Sequence, residues 1–166
     1  MENKITTTQV GVRYGIIYGL TSVVISLVVI LTNLERNFII SLLNFVVLIA
    51  FLVIPMQYFK SQREGFMSFG EGMGIGSIVS AVSSFISGLF ILVYFRLIAP
   101  KKFEEILEKA REEWEKAGMK EDAMQMAEKF TTPEVMFASA LITGIILGVI
   151  VSLIVAAILQ KKKPEF

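Results

Sequence analysis

The chain contains no cysteine and no histidine. Without thiols there is no disulfide framework, no thiolate nucleophile and no cysteine-ligated metal. Without imidazole, the commonest metal ligand is missing, along with the one side chain that ordinarily titrates near neutral pH. Proline is scarce, and Pro55, Pro100 and Pro133 all stand near the ends of apolar stretches. The net charge is only +1, so no global field points to nucleic acid or to an acidic substrate. The most informative gap lies in where charge is absent. Four stretches, Tyr14–Leu34, Asn37–Phe59, Gly72–Phe95 and Val135–Gln160, hold no Asp, Glu, Lys or Arg.

What fills those gaps is apolar. The stretches run 21, 23, 24 and 26 residues, and about 20 suffice to cross a hydrocarbon core of about 30 Å. A spanning segment must satisfy its backbone internally, so each is expected to be a helix. A soluble domain of 166 residues has no room to bury four such helices. The expectation is an all-α membrane protein: one domain of four transmembrane helices, at about 13–32, 38–58, 70–98 and 134–160. An extramembrane amphipathic helical insert, 99–133, joins the third to the fourth. The N-terminus opens on a polar stretch and lacks a clear cleavage site, so the first helix is expected to be retained as an anchor.

Local signals place the boundaries. Residues 33–37 make a short connection, which forces the first two spans to be antiparallel neighbours. Pro55 lies near the end of the second span, where a kink or an early stop is tolerable. Tyr58 suits the headgroup level. Ser68-Phe69-Gly70-Glu71 reads as a capping box, with the Ser68 hydroxyl and the Glu71 carboxylate each taking a backbone N–H of the other. Pro100 follows the third span, where a helix must stop. In the insert, Phe103, Ile106, Leu107, Ala110, Trp114 and Ala117 recur on one helical face. Glu104, Glu105, Glu108, Arg111, Glu112 and Glu115 occupy the other, with Glu105–Lys109 and Glu112–Lys116 at favourable i,i+4 spacing. Gly118 is the expected C-terminal cap. A shorter helix over 121–130 follows, with Met124, Ala127 and Phe130 as its apolar side. Thr132 is the expected N-cap of the fourth span, with Pro133 at its first position.

Three spans carry a small residue at every fourth position. The first has Gly11, Gly15 and Gly19. The third has Gly72, Gly76, Ser80, Ser84 and Gly88. The fourth has Ala140, Gly144, Gly148, Ser152 and Ala156. Spacing by four sets each group on one stripe. In lipid, close backbone packing through such small-xxx-small stripes supplies much of the drive for helix association. The stripes either pack within one bundle or, since three pair as two plus one, leave a surface for a second copy or a partner. The Ser77, Ser80, Ser83, Ser84 and Ser87 hydroxyls of the third span either line a polar path or bond to carbonyls one turn back.

No ionisable residue stands at the centre of a span, where one would mark a functional site. Arg13, Glu71 and Arg96 lie near span ends, and Arg96 is expected to snorkel toward Pro100. Enzyme motifs for metal, nucleophile or phosphate are missing, and the glycines from Gly70 to Gly76 lead into an apolar helix without a phosphate-binding Lys. No catalytic residue, cofactor or metal is therefore expected. Positive charge favours the cytoplasm. Lys4, Arg13, Lys60, Arg63 and Lys161–Lys163 share one side, against Arg36 and an insert more acidic than basic. Termini in the cytoplasm and an insert in the periplasm are the expectation.

Four segments together resemble a known family. They are Gly11-Val12-Arg13-Tyr14-Gly15, Met67 to Met73, Tyr94 to Pro100 leading into the charged insert, and a glycine-rich last span ending in lysines. The chain resembles the bacterial membrane proteins catalogued as domain of unknown function 4199, over nearly its whole length. The resemblance implies four spans and an inner-membrane location, and supplies no activity. The leading expectation is a non-enzymatic scaffold or accessory subunit whose contact surface is the insert face of Phe103, Ile106, Leu107 and Trp114. That face either packs on the bundle, lies on the bilayer or binds a partner. Expected partners are membrane lipids, with a homo-oligomer or a membrane-protein partner left open, and no nucleic acid. The alternatives are an oligomeric channel or transporter lined by the third span, and an enzyme acting on lipid.

Overall fold

A computed structural model describes residues 5–34 and 37–161. The chain is all-α, with helices α1 (Thr7–Thr32), α2 (Phe38–Ser61), α3 (Phe69–Val93), α4 (Pro100–Lys116), α5 (Glu121–Lys129) and α6 (Pro133–Leu159). A π-helical turn, Tyr94–Ile98, extends α3. Four helical segments are long and apolar enough to cross a membrane: α1, α2, α3 with its π extension, and α6. The expected all-α architecture with four candidate spans and shorter helices between the third and fourth is what the chain adopts. Two compact units divide it, one of residues 1–87 with 142–166 and one of residues 88–141. Lys4, Glu35, Arg36, Lys162 and Lys163 lie outside the described residues.

In the first unit, α1 begins six residues earlier than expected. Thr6 and Gln9 form a capping box: the Thr6 N–H donates to Gln9 Oε1 at 3.1 Å, and the Gln9 N–H donates to Thr6 Oγ1 at 3.2 Å. This pairing satisfies two N-terminal donors, so polar Thr7 and Thr8 enter the helix. Asn33, at φ 53°, ends α1 in the left-handed region that Asn tolerates. Asn37 starts α2, its side chain accepting from the Ile39 N–H at 2.9 Å. The two helices are antiparallel neighbours. Tyr14 of α1 meets Tyr58 near the end of α2 at 5.8 Å between ring centroids, and Tyr18 stacks on Phe51 at 4.9 Å. Arg13 places its guanidinium over the Tyr58 ring at 5.9 Å. Pro55 does not end α2, which continues one turn and more to Ser61. Leu52, Pro55, Met56 and Phe59 make its buried face. They join Val10, Met67, Ile75, Val79, Val151, Val155 and Ala156 in the core. The outward sides of α1 and α2 are apolar and exposed, with Val24, Val28, Leu31, Phe38 and Ile39 among the barest. That arrangement suits lipid and would be costly in water.

The glycine and serine stripes pair in register. A Cβ built on Gly72 would lie 2.8 Å from the Ala156 Cβ. One turn along, Gly76 faces Ser152. Gly148 then faces Ser80, and Gly144 faces Ser84. Each step of four down α3 is matched by a step of four up α6, so two antiparallel small stripes touch along their length. The α1 stripe meets something different. Gly11, Gly15 and Gly19 lie against Ile78, Val82 and Ile86, each at 2.7–2.8 Å from the Cβ of its partner to a Cβ built on the glycine. The grooves of α1 thus receive β-branched ridges on a second face of α3. All three stripes are occupied by the chain's own residues.

The α2–α3 connection closes against the end of α6. Ser68 and Glu71 form the expected capping box, with Ser68 N–H to Glu71 Oε2 at 2.8 Å and Glu71 N–H to Ser68 Oγ at 3.3 Å. Arg63 pairs with the Glu71 carboxylate and lies 5.2 Å over the Phe59 ring. Met67 and Lys161 exchange two backbone hydrogen bonds, at 3.0 and 2.8 Å. Lys60 Nζ donates to the Leu159 carbonyl at 2.8 Å, which places a cation on the carbonyl end of α6. The connection turns through Glu64 at φ 55° and Gly65 at φ 82°.

In the second unit, Gly88 lies against the Phe137 ring, 3.0 Å from a built Cβ. The end of α3 widens into the π turn, closed by the Ala99 N–H donating to the Tyr94 carbonyl at 2.7 Å. Pro100 does stop the span, but it is also the first residue of α4, where its missing N–H costs no helical bond. Arg96 stands at this exposed end of α3, and its partner there is a carboxylate. It pairs with Glu134 in the first turn of α6 at 3.1 Å. Thr132 caps α6 as expected, its Oγ1 accepting from the Val135 N–H at 3.3 Å.

Candidate interaction surface

The insert folds as a helical hairpin. Gly118, at φ 75°, sits one residue past the C-cap Ala117. Its N–H donates to the Glu115 carbonyl at 2.9 Å, and the Met119 N–H reaches the Trp114 carbonyl at 2.9 Å. This is a Schellman motif, and it satisfies carbonyls that the end of α4 leaves open. Lys120 then enters α5, whose first turn carries Glu121 and Asp122 against the positive helix end.

One ion pair braces the hairpin. Arg111 of α4 grips Glu128 of α5 through two nitrogens, with Nη2 to Oε2 at 2.8 Å. The fork geometry fixes direction as well as distance. Its hydrogen bonds to Glu128 push the Arg111 pKa above its ordinary value, though a guanidinium keeps its charge without that help. Beside it lies an open groove of about 300 Å³ bounded by Glu115, Glu121, Met124 and Gln125.

The expected apolar face of α4 turns inward only in part. Phe103, Ile106, Leu107, Ala110 and Trp114 are half-buried and none is fully buried, while Ala117 is exposed at the cap. Phe103 packs on Phe95 of the π turn at 5.7 Å, and Phe95 in turn meets Tyr94 edge-on at 5.4 Å. The face is therefore anchored to its own chain at the membrane end. On α5, Met124 and Ala127 are half-buried, but Phe130 is exposed instead of joining them. The outer face of α4, with Glu104, Glu105, Glu108, Arg111, Glu112 and Glu115, is exposed. Glu112 pairs with Lys116 at 3.6 Å as spaced, whereas Glu105 pairs with Lys102, one turn back, at 3.2 Å.

Of the two alternatives for the third-span serines, the hydrogen bonds found are those to carbonyls one turn back. Ser80 donates to the Gly76 carbonyl at 2.8 Å, Ser83 to Ser80 at 3.2 Å and Ser87 to Ser83 at 2.9 Å. Ser152 on α6 does the same to Gly148 at 2.6 Å. Ser80, Ser83, Ser84 and Ser152 are all buried. Their hydroxyls complete helices and let backbones approach.

Two contacts of this surface had no local signal. Arg111–Glu128 and Phe95–Phe103 join residues from different elements, and only the turn at Gly118 and the π turn bring them together. A T-x-x-Q box at Thr6 was a readable signal, and it marks a helix start that the charge at Arg13 obscured.

No curated protein and no solved structure matches the chain. A family model, described as a protein of unknown function (DUF4199), matches residues 13–161. That range takes in most of the first candidate span, the other three in full and the whole insert. By that match, the chain belongs to the DUF4199 family.

Proposed function

We propose that this is a non-enzymatic membrane protein that works by binding, a scaffold or accessory subunit of the bacterial inner membrane whose contact surface is the insert. The observation that carries the reading is the braced α4–α5 hairpin. Arg111–Glu128 and the Schellman turn tie α4 to α5, and α4 presents a continuous exposed charged face. A preorganised, exposed, acid-rich face suits a partner carrying basic side chains, since little ordering is left for binding to do. Elsewhere, the seam residues that most resemble a functional lining are engaged within the bundle.

The test separates binding from folding. Exposed ion pairs of this kind contribute at most about 1 kcal/mol each. Charge reversal of Glu104, Glu108 and Glu112 to Lys is therefore expected to leave size and melting in mild detergent nearly unchanged. Affinity purification of the native chain from its own membranes, read by mass spectrometry, is expected to recover a stoichiometric partner that the triple variant loses. Recovery of only its own copies, with native and variant alike, would overturn the reading.

The same reading places both termini in the cytoplasm and the insert in the periplasm. Lys60, Arg63 and Lys161 cluster where α2, α3 and α6 meet, and cytoplasmic ends collect such cations. The natural absence of cysteine makes Lys120→Cys a unique label site. A membrane-impermeant maleimide is expected to label it in intact spheroplasts. Labelling only after lysis would reverse the orientation.

A further inference from the structure

We propose that the C-terminal end of α5 is a membrane contact, with Met126 and Phe130 seated in the phospholipid headgroup layer while the N-terminal end of α5 and the charged face of α4 stay in water. This rests on the spans alone and holds whether or not the insert has a protein partner.

Met126 and Phe130 are 62% and 67% exposed, in a hairpin whose exposed face is otherwise mainly charged. Spacing by four puts them on one stripe, different from the stripe through which Met124 and Ala127 pack. At the other foot of the hairpin, Leu97 and Ile98 are 74% and 64% exposed. These residues stand at the end of the third candidate span and just before the start of the fourth.

Chain length limits what can cover them. Phe130 precedes Pro133, the first residue of α6, by three residues, a reach of at most about 10 Å even when extended. Met126 is one helical turn further, about 6 Å along the axis. The headgroup zone is about 5–8 Å deep on each side of the hydrocarbon core. Phe130 thus cannot leave the vicinity of that zone, and an α5 inclined to the surface keeps Met126 near it while the Lys120 end rises into water.

Charge along α5 runs the matching way. Glu121 and Asp122 lie at the far end of the helix, while Lys129 adjoins Phe130. At the other foot, Lys101 follows Ile98 closely and is exposed. Lysines at this level reach phosphates while their stems lie along apolar surface. The acid-rich face belongs to α4, and its repulsion from anionic lipid favours keeping α4 away from the surface.

The test uses the full chain with Trp114→Phe, leaving no tryptophan, and Phe130→Trp, Met126→Trp or, as a water-exposed reference, Lys120→Trp. Each is reconstituted in phosphatidylcholine–phosphatidylglycerol vesicles. The 126 and 130 reporters are expected to emit to the blue of the 120 reporter. Bromine near the acyl carbonyls should reduce their intensity more than bromine near the chain ends, and aqueous iodide should affect them little. Iodide quenching of all three reporters alike, without a bromine effect, overturns the proposal. So does shielding from both quenchers, which would place a second copy or another protein on this stripe. If the tryptophan variants assemble poorly, a spin label on Met126→Cys supplies the same reading. More frequent collision with oxygen than with a water-soluble nickel chelate supports lipid contact, and the reverse refutes it.

Discussion

Gly148→Ala is expected to destabilise the bundle, and Ser80→Gly in the same chain is expected to restore most of the loss. A Cβ on Gly148 would fall onto the hydroxyl and Cβ of Ser80, deep in the α3–α6 seam. Ser80 is 1% exposed and its hydroxyl is held by the Gly76 carbonyl at 2.8 Å, so it has nowhere to turn. Overpacking of this kind costs about 1–3 kcal/mol. Removing the Ser80 side chain leaves its Cα 3.6 Å from the new methyl, an ordinary contact. The double variant only exchanges which helix carries the side chain. Ser80→Gly alone costs about 1 kcal/mol from glycine inside a helix. A coupling energy above about 1 kcal/mol is therefore expected across the cycle, read from thermal unfolding in mild detergent. Simple additivity would mean that the two residues do not face each other, and the stripe register would be lost with them. Gly76→Leu and Gly148→Leu should disrupt assembly outright, because no single partner can vacate that volume.

Gly15→Ala is expected to cost a similar amount, about 1–3 kcal/mol, but to resist rescue. Its built Cβ lies 2.8 Å from the Val82 Cβ and 3.2 Å from the Val79 carbonyl oxygen. Val82→Ala keeps the offending Cβ, and the carbonyl belongs to the backbone of α3. The added methyl is accommodated only if α1 moves outward, which loosens Gly11 and Gly19 as well. Gly15→Ala with Val82→Ala should thus melt no higher than Gly15→Ala alone. A return to the native melting temperature would show that α1 and α3 approach less closely than their glycine and β-branched ridges require. The contrast between the two sites is physical. At Gly148 the nearest obstacles are side-chain atoms and can be deleted, whereas at Gly15 part of the obstacle is main chain.

Both experiments probe the feature that sequence pattern marked most clearly and resolved least. Spacing by four identified the small-residue stripes, because a helix returns to the same face at that interval. Which stripe meets which was not legible. Three stripes admitted a leftover surface, yet the α1 stripe is taken by Ile78, Val82 and Ile86, residues that carried no mark of their own. A ridge of β-branched side chains has the same composition whether it faces lipid or a glycine groove. The candidate surface divides the same way. The amphipathic period of α4, the caps at Ser68 and Thr132 and the turn at Gly118 are local chemistry, and each stands where the residues indicated. The brace from Arg111 to Glu128 and the docking of Phe103 on Phe95 join distant positions, so local pattern could not reveal them.

Hydropathy and length alone marked four helices of this chain as long and apolar enough to cross a membrane, because twenty-odd uncharged residues in a row have few other stable environments. Capping residues and prolines settled most of where those helices start and stop. Tertiary structure decided the partner of each stripe, the pairing of Arg96 with Glu134, and the closure of Lys60 and Met67 onto the end of α6. Those choices depend on distances between elements far apart in the chain, and a one-dimensional pattern carries faces and periods but not which face comes to lie against which.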